Sequence, residues 1–172
     1  GDTTLESMAK LNPAFGDDGV VTAATSSPLT DGAVFMIVCS EDFAEKNRLN
    51  PIARIVAGAV TGCAPDMMGI GPIKATREVL RRANWNIEDV DLFELNEAFS
   101  SQSLAVIDDL GINPEIVNLH GGALSIGHPL GASGARITGK AASLLQSTDS
   151  KRAVATMCIG GGMGISIALE KM

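Results

Sequence analysis

Hydrophobic residues along this chain fall into two kinds of pattern. Residues 33–39, AVFMIVC, are apolar without interruption and of strand length, the pattern of a strand buried on both faces. Ile52 to Thr61 reads similarly, and Val90 to Leu95 is a further strand. Between them the period changes. Pro72 sits where a helix begins, and Ile73, Thr76, Val79, Leu80 and Ala83 then recur at helical spacing. A second helix is predicted from about Ala98 to Leu110, with Phe99, Ser103, Val106, Ile107 and Leu110 inward and Gly111 as its stop. A third, from Ala132 to Gln146, is built of small residues that allow close packing on a neighbouring backbone. Finally AVATMC (153–158) and ISIALE (165–170) flank a glycine cluster and read as two strands joined by a tight turn. The alternation of Ile165, Ile167 and Leu169 with Ser166, Ala168 and Glu170 supports the second of these strands.

Residues 1–32 form a leading segment, with a short helix from Leu5 to Leu11 broken by Pro13, Gly16, Asp17, Asp18 and Gly19. Strands alternating with helices, closed by a hairpin, predict an α/β layered domain: a mixed five-stranded sheet covered by helices. There is no internal repeat, and 172 residues suffice for one well-buried core.

Composition narrows the picture. Tyr is absent and aromatics are 3% of the chain, so the core must be aliphatic. A net charge of −7 leaves no basic excess to neutralise phosphates, which argues against a nucleic-acid partner. Arg77, Arg81 and Arg82 form a local basic cluster able to hold a nucleotide tail, although a solvated helix face is the simpler reading. Cys39, Cys63 and Cys158 stand too far apart for a disulfide framework or a metal knuckle, and fit free thiols in a reducing cytosol. Two His residues without paired carboxylates make a metal site unexpected. No run suits a membrane span, and the end, LEKM, is not a peroxisomal address, so a cytoplasmic protein is expected. Gly1 in place of Met leads us to expect a piece of a longer protein, although removal of a tag would give the same start.

Several motifs fail on inspection. Gly134-x4-Gly139-Lys140 lacks the Ser or Thr of a phosphate loop and lies inside a helical pattern. Gly160 to Gly164 precedes a strand, so it is no dinucleotide fingerprint. Ser125 and Ile126-Gly127 do not make a nucleophile elbow, because the only downstream His is three residues from the Ser. What remains is an amide, an imidazole and a thiol, each beside a turn: Asn96, His128 and Cys158. Each alone has a plain reading, as an N-cap, a loop His and a buried small hydrophobe. Jointly they are a kit for acyl transfer at a thioester.

Three segments carry a resemblance: LNEAF (95–99), GGALSIGHPLGASGAR (121–136) and CIGGGMG (158–164), with SPLTDG (27–32) and MGIGP (68–72) as weaker matches. In this order, over essentially the whole chain, they resemble the C-terminal half of a thiolase, either an acetyl-CoA acetyltransferase or a 3-ketoacyl-CoA thiolase. The resemblance implies acyl-CoA thioesters and coenzyme A as substrates, no separate cofactor, an N-terminal thiolase domain as partner and a homo-oligomer when intact. It implies that His128 raises the reactivity of a nucleophilic Cys and donates to a thioester oxygen, with Asn96 holding a water at the same oxyanion site. Cys158 becomes the acid/base at the α-carbon, and the backbone N–H of Gly160 helps build a second oxyanion site. Ser27 meets the pantetheine arm, with Phe15, Met68 and Phe99 lining its tunnel.

One departure stands out. The family's nucleophilic Cys lies in a V-C-G-S type of turn, and neither Cys39, in an apolar run expected to be buried, nor Cys63, before Ala64-Pro65, matches it. The chain therefore reads as half an active site, inactive alone. His120, where the family commonly has another polar residue, is expected to be structural. A non-catalytic acyl-CoA-binding or assembly module on the same fold is the rival. A ketoacyl synthase, which uses a His pair, is disfavoured by Cys158-Ile159-Gly160.

Overall fold

The computed structural model describes residues 3–172. Its helices are α1 (Leu5–Met8), α2 (Glu41–Lys46), α3 (Gly71–Ala83), α4 (Ser100–Leu110), α5 (Ala123–Ile126) and α6 (Leu130–Ser147). Its strands are β1 (Ala53–Gly62), β2 (Leu92–Leu95), β3 (Arg152–Ile159) and β4 (Met163–Lys171), in the spatial order β1-β4-β3-β2. β4 runs antiparallel to both neighbours, while β3 and β2 are parallel. The pleat sends alternate residues of β2 to opposite faces. Phe93 and Leu95 join Val79 and Leu80 of α3 and Val106 and Leu110 of α4 in one core. Leu92 joins Ile137, Ala141, Leu144 and Leu145 of α6 in the other. The result is three layers, with helices on both faces of a mixed sheet.

The sheet has four strands where five were expected. The missing one is 33–39, which is extended but unpaired and lies open to solvent, with Phe35 98% and Ile37 91% exposed. Cys39 is exposed with it, not buried as its apolar surroundings suggested. Continuous apolarity signals a segment made to be covered; here it pairs with no strand of the sheet, and Met36 reaches α6, its Sδ lying 3.6 Å from where a β-carbon on Gly139 would stand. Beyond β2, Val117 makes a single parallel bridge to Phe93. It goes no further because Asn118 turns left-handed (φ 50°) and its side-chain amide replaces the ladder. Its Oδ1 accepts from the Leu95 N–H at 2.9 Å and its Nδ2 donates to the Leu95 carbonyl at 2.8 Å.

The hairpin also differs in detail. On β4 the small residues Gly164, Ser166 and Ala168 are buried on one face, while on the other Leu169 is buried and Ile165 and Ile167 are half-covered. The reason is the approach of α3: a β-carbon on Gly164 would overlap the Gly71 carbonyl at the start of that helix. Bulky side chains cannot occupy that face. Behind this contact, Thr76, Thr156 and Ser166 satisfy one another's hydroxyls at 2.6–3.4 Å, fully inside the protein. The short helices α2 and α5 were not foreseen. α2 follows a Ser40 N-cap that accepts from Phe43 N–H, a local device that periodicity over six residues cannot reveal.

Candidate active site

The leading segment is a strap across the carboxyl end of β2. Ser26 bridges Phe99, and Ser27 donates to the Ala98 carbonyl through its N–H at 3.0 Å and its hydroxyl at 3.2 Å. Two residues on, Leu29 bridges His128, whose N–H reaches the Pro28 carbonyl at 3.4 Å. Gly127, at φ 95°, permits this junction, because a β-carbon there would collide with Thr30. The strap thus ties the β2–α4 corner, which carries Asn96, to the α5–α6 corner, which carries His128.

Those two side chains meet. Asn96 is fully buried, and its Nδ2 lies 3.3 Å from His128 Nε2. Asn96 is not the N-cap of α4; that place belongs to Phe99, which offers no side-chain cap. On the other side of the ring, His128 Nδ1 is 2.6 Å from Ser133 Oγ, and Ser133 donates its own proton to the Pro129 carbonyl at 3.2 Å. With that proton committed, Oγ accepts from Nδ1–H. The ring is therefore the Nδ1–H tautomer, and its Nε2 lone pair faces the amide. Burial, helped by the Arg136 charge, pushes the imidazole below its ordinary pKa, so it is neutral at pH 7 and free to accept a proton at Nε2.

The corner is fastened by Glu97. Its carboxylate accepts from Asn118 Nδ2 at 2.8 Å and from the Leu124 N–H at 3.0 Å, locking the loop that leads into α5. Glu94, two residues before Asn96, is 1% exposed, and burial pushes its carboxyl up to about 7 against the pull of Arg136 and Lys140. The folded protein thus keeps a proton there that the unfolded chain releases near the ordinary carboxylate range. This contribution is fully present below the unfolded pKa of about 4.3 and drains away as pH rises through about 7. Glu94→Gln removes it. Between pH 5 and pH 8 the variant should gain about 2 kcal/mol over the parent in urea unfolding; a constant difference across that range would refute the assignment.

Cys158 ends β3, next in the sheet to β2: Asn96 N–H donates to the Thr156 carbonyl at 3.0 Å, two residues before the Cys. It is 5% exposed, and burial pushes its thiol up. A thiol held protonated at neutral pH suits proton transfer rather than standing nucleophilicity. Among the described residues no hydrogen bond joins it to Asn96 or His128. Gly160 is exposed in the three-residue turn between Ile159 and Met163, a position where its amide is free to face a ligand. Phe15 meets Phe99 edge to face, with centroids 6.4 Å apart, next to the strap that holds Ser27. Met68 lies on the 3-10 turn Pro65–Ile70, which packs against α4.

Other candidates resolve simply. Arg77 pairs with Asp109 at 2.7 Å, and Arg81 and Arg82 both pair with Glu78 at 2.8 and 2.7 Å, so each arginine of that cluster already has a carboxylate partner. Gly134 to Lys140 lies within α6, as its pattern indicated. His120 accepts at Nδ1 from Lys140 Nζ at 2.7 Å on the surface. Among the described residues no group of three metal-ligating side chains occurs, and no helix is long and apolar enough to cross a membrane. Sequence reasoning passed over Ser133, Glu97, Asn118, Glu94 and Arg136. Glu97, Ser133 and Arg136 lie inside quoted motifs, and the i+5 spacing of Ser133 from His128 on a helix start was the usable signal.

Comparison with known proteins gives matches along nearly the whole chain. Residues 49–171 match the model of the thiolase C-terminal domain, and residues 1–42 match that of the thiolase N-terminal domain. The chain is 49% identical over 168 residues to an acetyl-CoA acetyltransferase of Paracoccus denitrificans, covering 98% of this chain and 43% of that protein. It is 50% identical over 175 residues to a 3-ketoacyl-CoA thiolase of Marinobacter nauticus, covering 99% of this chain and 45% of the relative. Its fold superposes on human mitochondrial 3-ketoacyl-CoA thiolase in complex with CoA with a TM-score of 0.93 and 43% identity, over 99% of this chain and 43% of that one. The chain thus spans less than half the length of these relatives.

Proposed function

This chain belongs to the thiolase family, and from that premise we propose that it is the carboxyl-terminal part of an acyltransferase acting on coenzyme A thioesters. The reaction is the condensation of two acetyl-CoA molecules or the cleavage of a 3-ketoacyl-CoA by coenzyme A, in the second case a step of fatty acid breakdown. The single observation that carries the reading is the Asn96–His128 contact, with a neutral Nε2 facing the amide. That nitrogen accepts a thiol proton and then, as N–H, donates to the thioester oxygen, with Asn96 beside it to hold a water. Cys158 moves the α-proton, and the Gly160 amide faces the enolate oxygen. Ser27, Phe15, Phe99 and Met68 contact the pantetheine arm. Coenzyme A is substrate here, and the chemistry calls for no resident cofactor. The reducing cytosol suits three free thiols.

The nucleophile comes from the missing amino-terminal part. Residues 33–39 support this. They match the family's N-terminal domain model and present an uncovered apolar segment that such a domain would cover. Oligomerisation of the intact protein follows in this reading. The test is reconstitution. The 172-residue chain alone should cleave no acetoacetyl-CoA, and turnover should appear when it is co-expressed with the amino-terminal part of its own reading frame. Turnover by the chain alone, or none from a stable complex, would sink the proposal.

A further inference from the structure

Behind the His128 ring lies a set of buried polar atoms that no protein group satisfies. Pleating puts Glu94 on the same face of β2 as Asn96, beneath α6. Along α6, Ser133, Arg136 and Lys140 follow at i, i+3 and i+7, one stripe of the helix. Ser133 holds the ring. One turn further, Arg136 is half-buried, yet its Nε and Nη2 are closed off from solvent and meet no acceptor. Glu94 Oε1 and Asn96 Oδ1 are likewise buried and unpaired. A guanidinium is not placed in such surroundings for packing, since leaving its donors unpaired is costly.

We propose that Arg136, turned inward one helical turn along α6 from the Ser133 that holds the ring, is a positioning residue for His128, and that Glu94, buried and unpaired on the strand beneath, is its counter-charge. In acid, Glu94 is neutral, Arg136 is uncompensated, and the ring resists protonation. As Glu94 ionises, it offsets Arg136 in a pH range where the ring is already neutral. A His that must accept a thiol proton then starts uncharged across the working range. The other charged groups acting on this pair are Lys140 on α6, to which His120 is bonded, and Glu97 at the β2–α4 corner. Lys140 adds to the effect of Arg136, while Glu97 opposes it at Glu94.

The value of a neutral ring rests on the acyl-transfer reading above. The test does not, so the two can fail separately. The chain has two His residues, so NMR titration of the ring signals is simple, with His120→Asn as the assignment variant. Arg136→Gln should raise the His128 midpoint by about half a pH unit or more, and should raise the Glu94 carboxyl midpoint with it. Arg136→Lys should return both towards the parent, and Arg77→Gln, on the opposite face, should move neither. A His128 midpoint unchanged or lowered by Arg136→Gln, or a Lys variant that behaves like Gln, overturns the proposal. Should Arg136→Gln not fold, Arg136→Met, of similar length and without charge, takes its place and should raise the His128 midpoint likewise. An unmoved midpoint would refute the proposal.

Discussion

Cys158→Ala in the intact protein is expected to lower turnover about a thousandfold while leaving the KM for coenzyme A near its parent value. The expectation follows from where the sulfur sits. It is buried at the end of β3, and burial holds it protonated at neutral pH. A protonated thiol facing a thioester α-carbon is an acid/base, and losing a positioned acid/base costs about 10²–10⁴ in rate. Alanine keeps the small, apolar character of a strand-end position, so the fold should survive and the tail of coenzyme A, bound elsewhere, should be unaffected. His128→Ala should cost a similar factor. The double variant should cost little more than either alone, because the two serve one reaction. If Cys158→Ala turned over like the parent, the rival reading, an acyl-CoA-binding or assembly module, would gain what the catalytic reading lost.

How much of this was legible beforehand depends on the range over which each feature is determined. The long helices and the hairpin were readable because their burial repeats over many residues. α3 buries Ile73, Thr76, Val79 and Leu80, the residues its spacing picked out. The run 33–39, read as a buried strand, forms none and stays exposed. Periodicity reports what a segment needs, not which partner supplies it. In the site, Asn96, His128 and Cys158 stood out because their types are rare and reactive. Glu94 and Arg136 did not, because a Glu in a strand and an Arg in a helix have ordinary solvated readings. Only the pleat of β2 and the stripe on α6 bring them beneath the ring. Cys158 illustrates the same limit. The chain marks it as special, whereas its relation to the imidazole depends on a sheet register that no local pattern encodes.

Gly164→Ala is expected to be among the most damaging single-methyl changes the fold can suffer. In β4 this residue pairs with both Thr61 and Cys158, so it sits mid-sheet between β1 and β3. The first residues of α3 press on it from above: its added β-carbon would overlap the Gly71 carbonyl and crowd Pro72 N, all of it backbone. Backbone cannot rotate away as a side chain can, so α3 would have to lift off the sheet. That movement would loosen the Thr76–Thr156–Ser166 hydroxyl set one pleat below, which is buried and has no solvent to fall back on. Overpacking of this kind costs about 3 kcal/mol or more, a large part of a typical domain's stability. The Tm should fall by about 10 °C. Gly131→Ala is the matched control, since its β-carbon meets nothing within 4 Å and lies in the first turn of α6; it should be neutral or slightly stabilising. Because Gly164 is the partner of Cys158 across the hairpin, a Gly164→Ala chain that does fold should also show a displaced thiol. Thiol-labelling rates at Cys158 would then rise as the Tm falls, whereas equal stability and equal labelling in the two variants would show that α3 does not press on the strand as described.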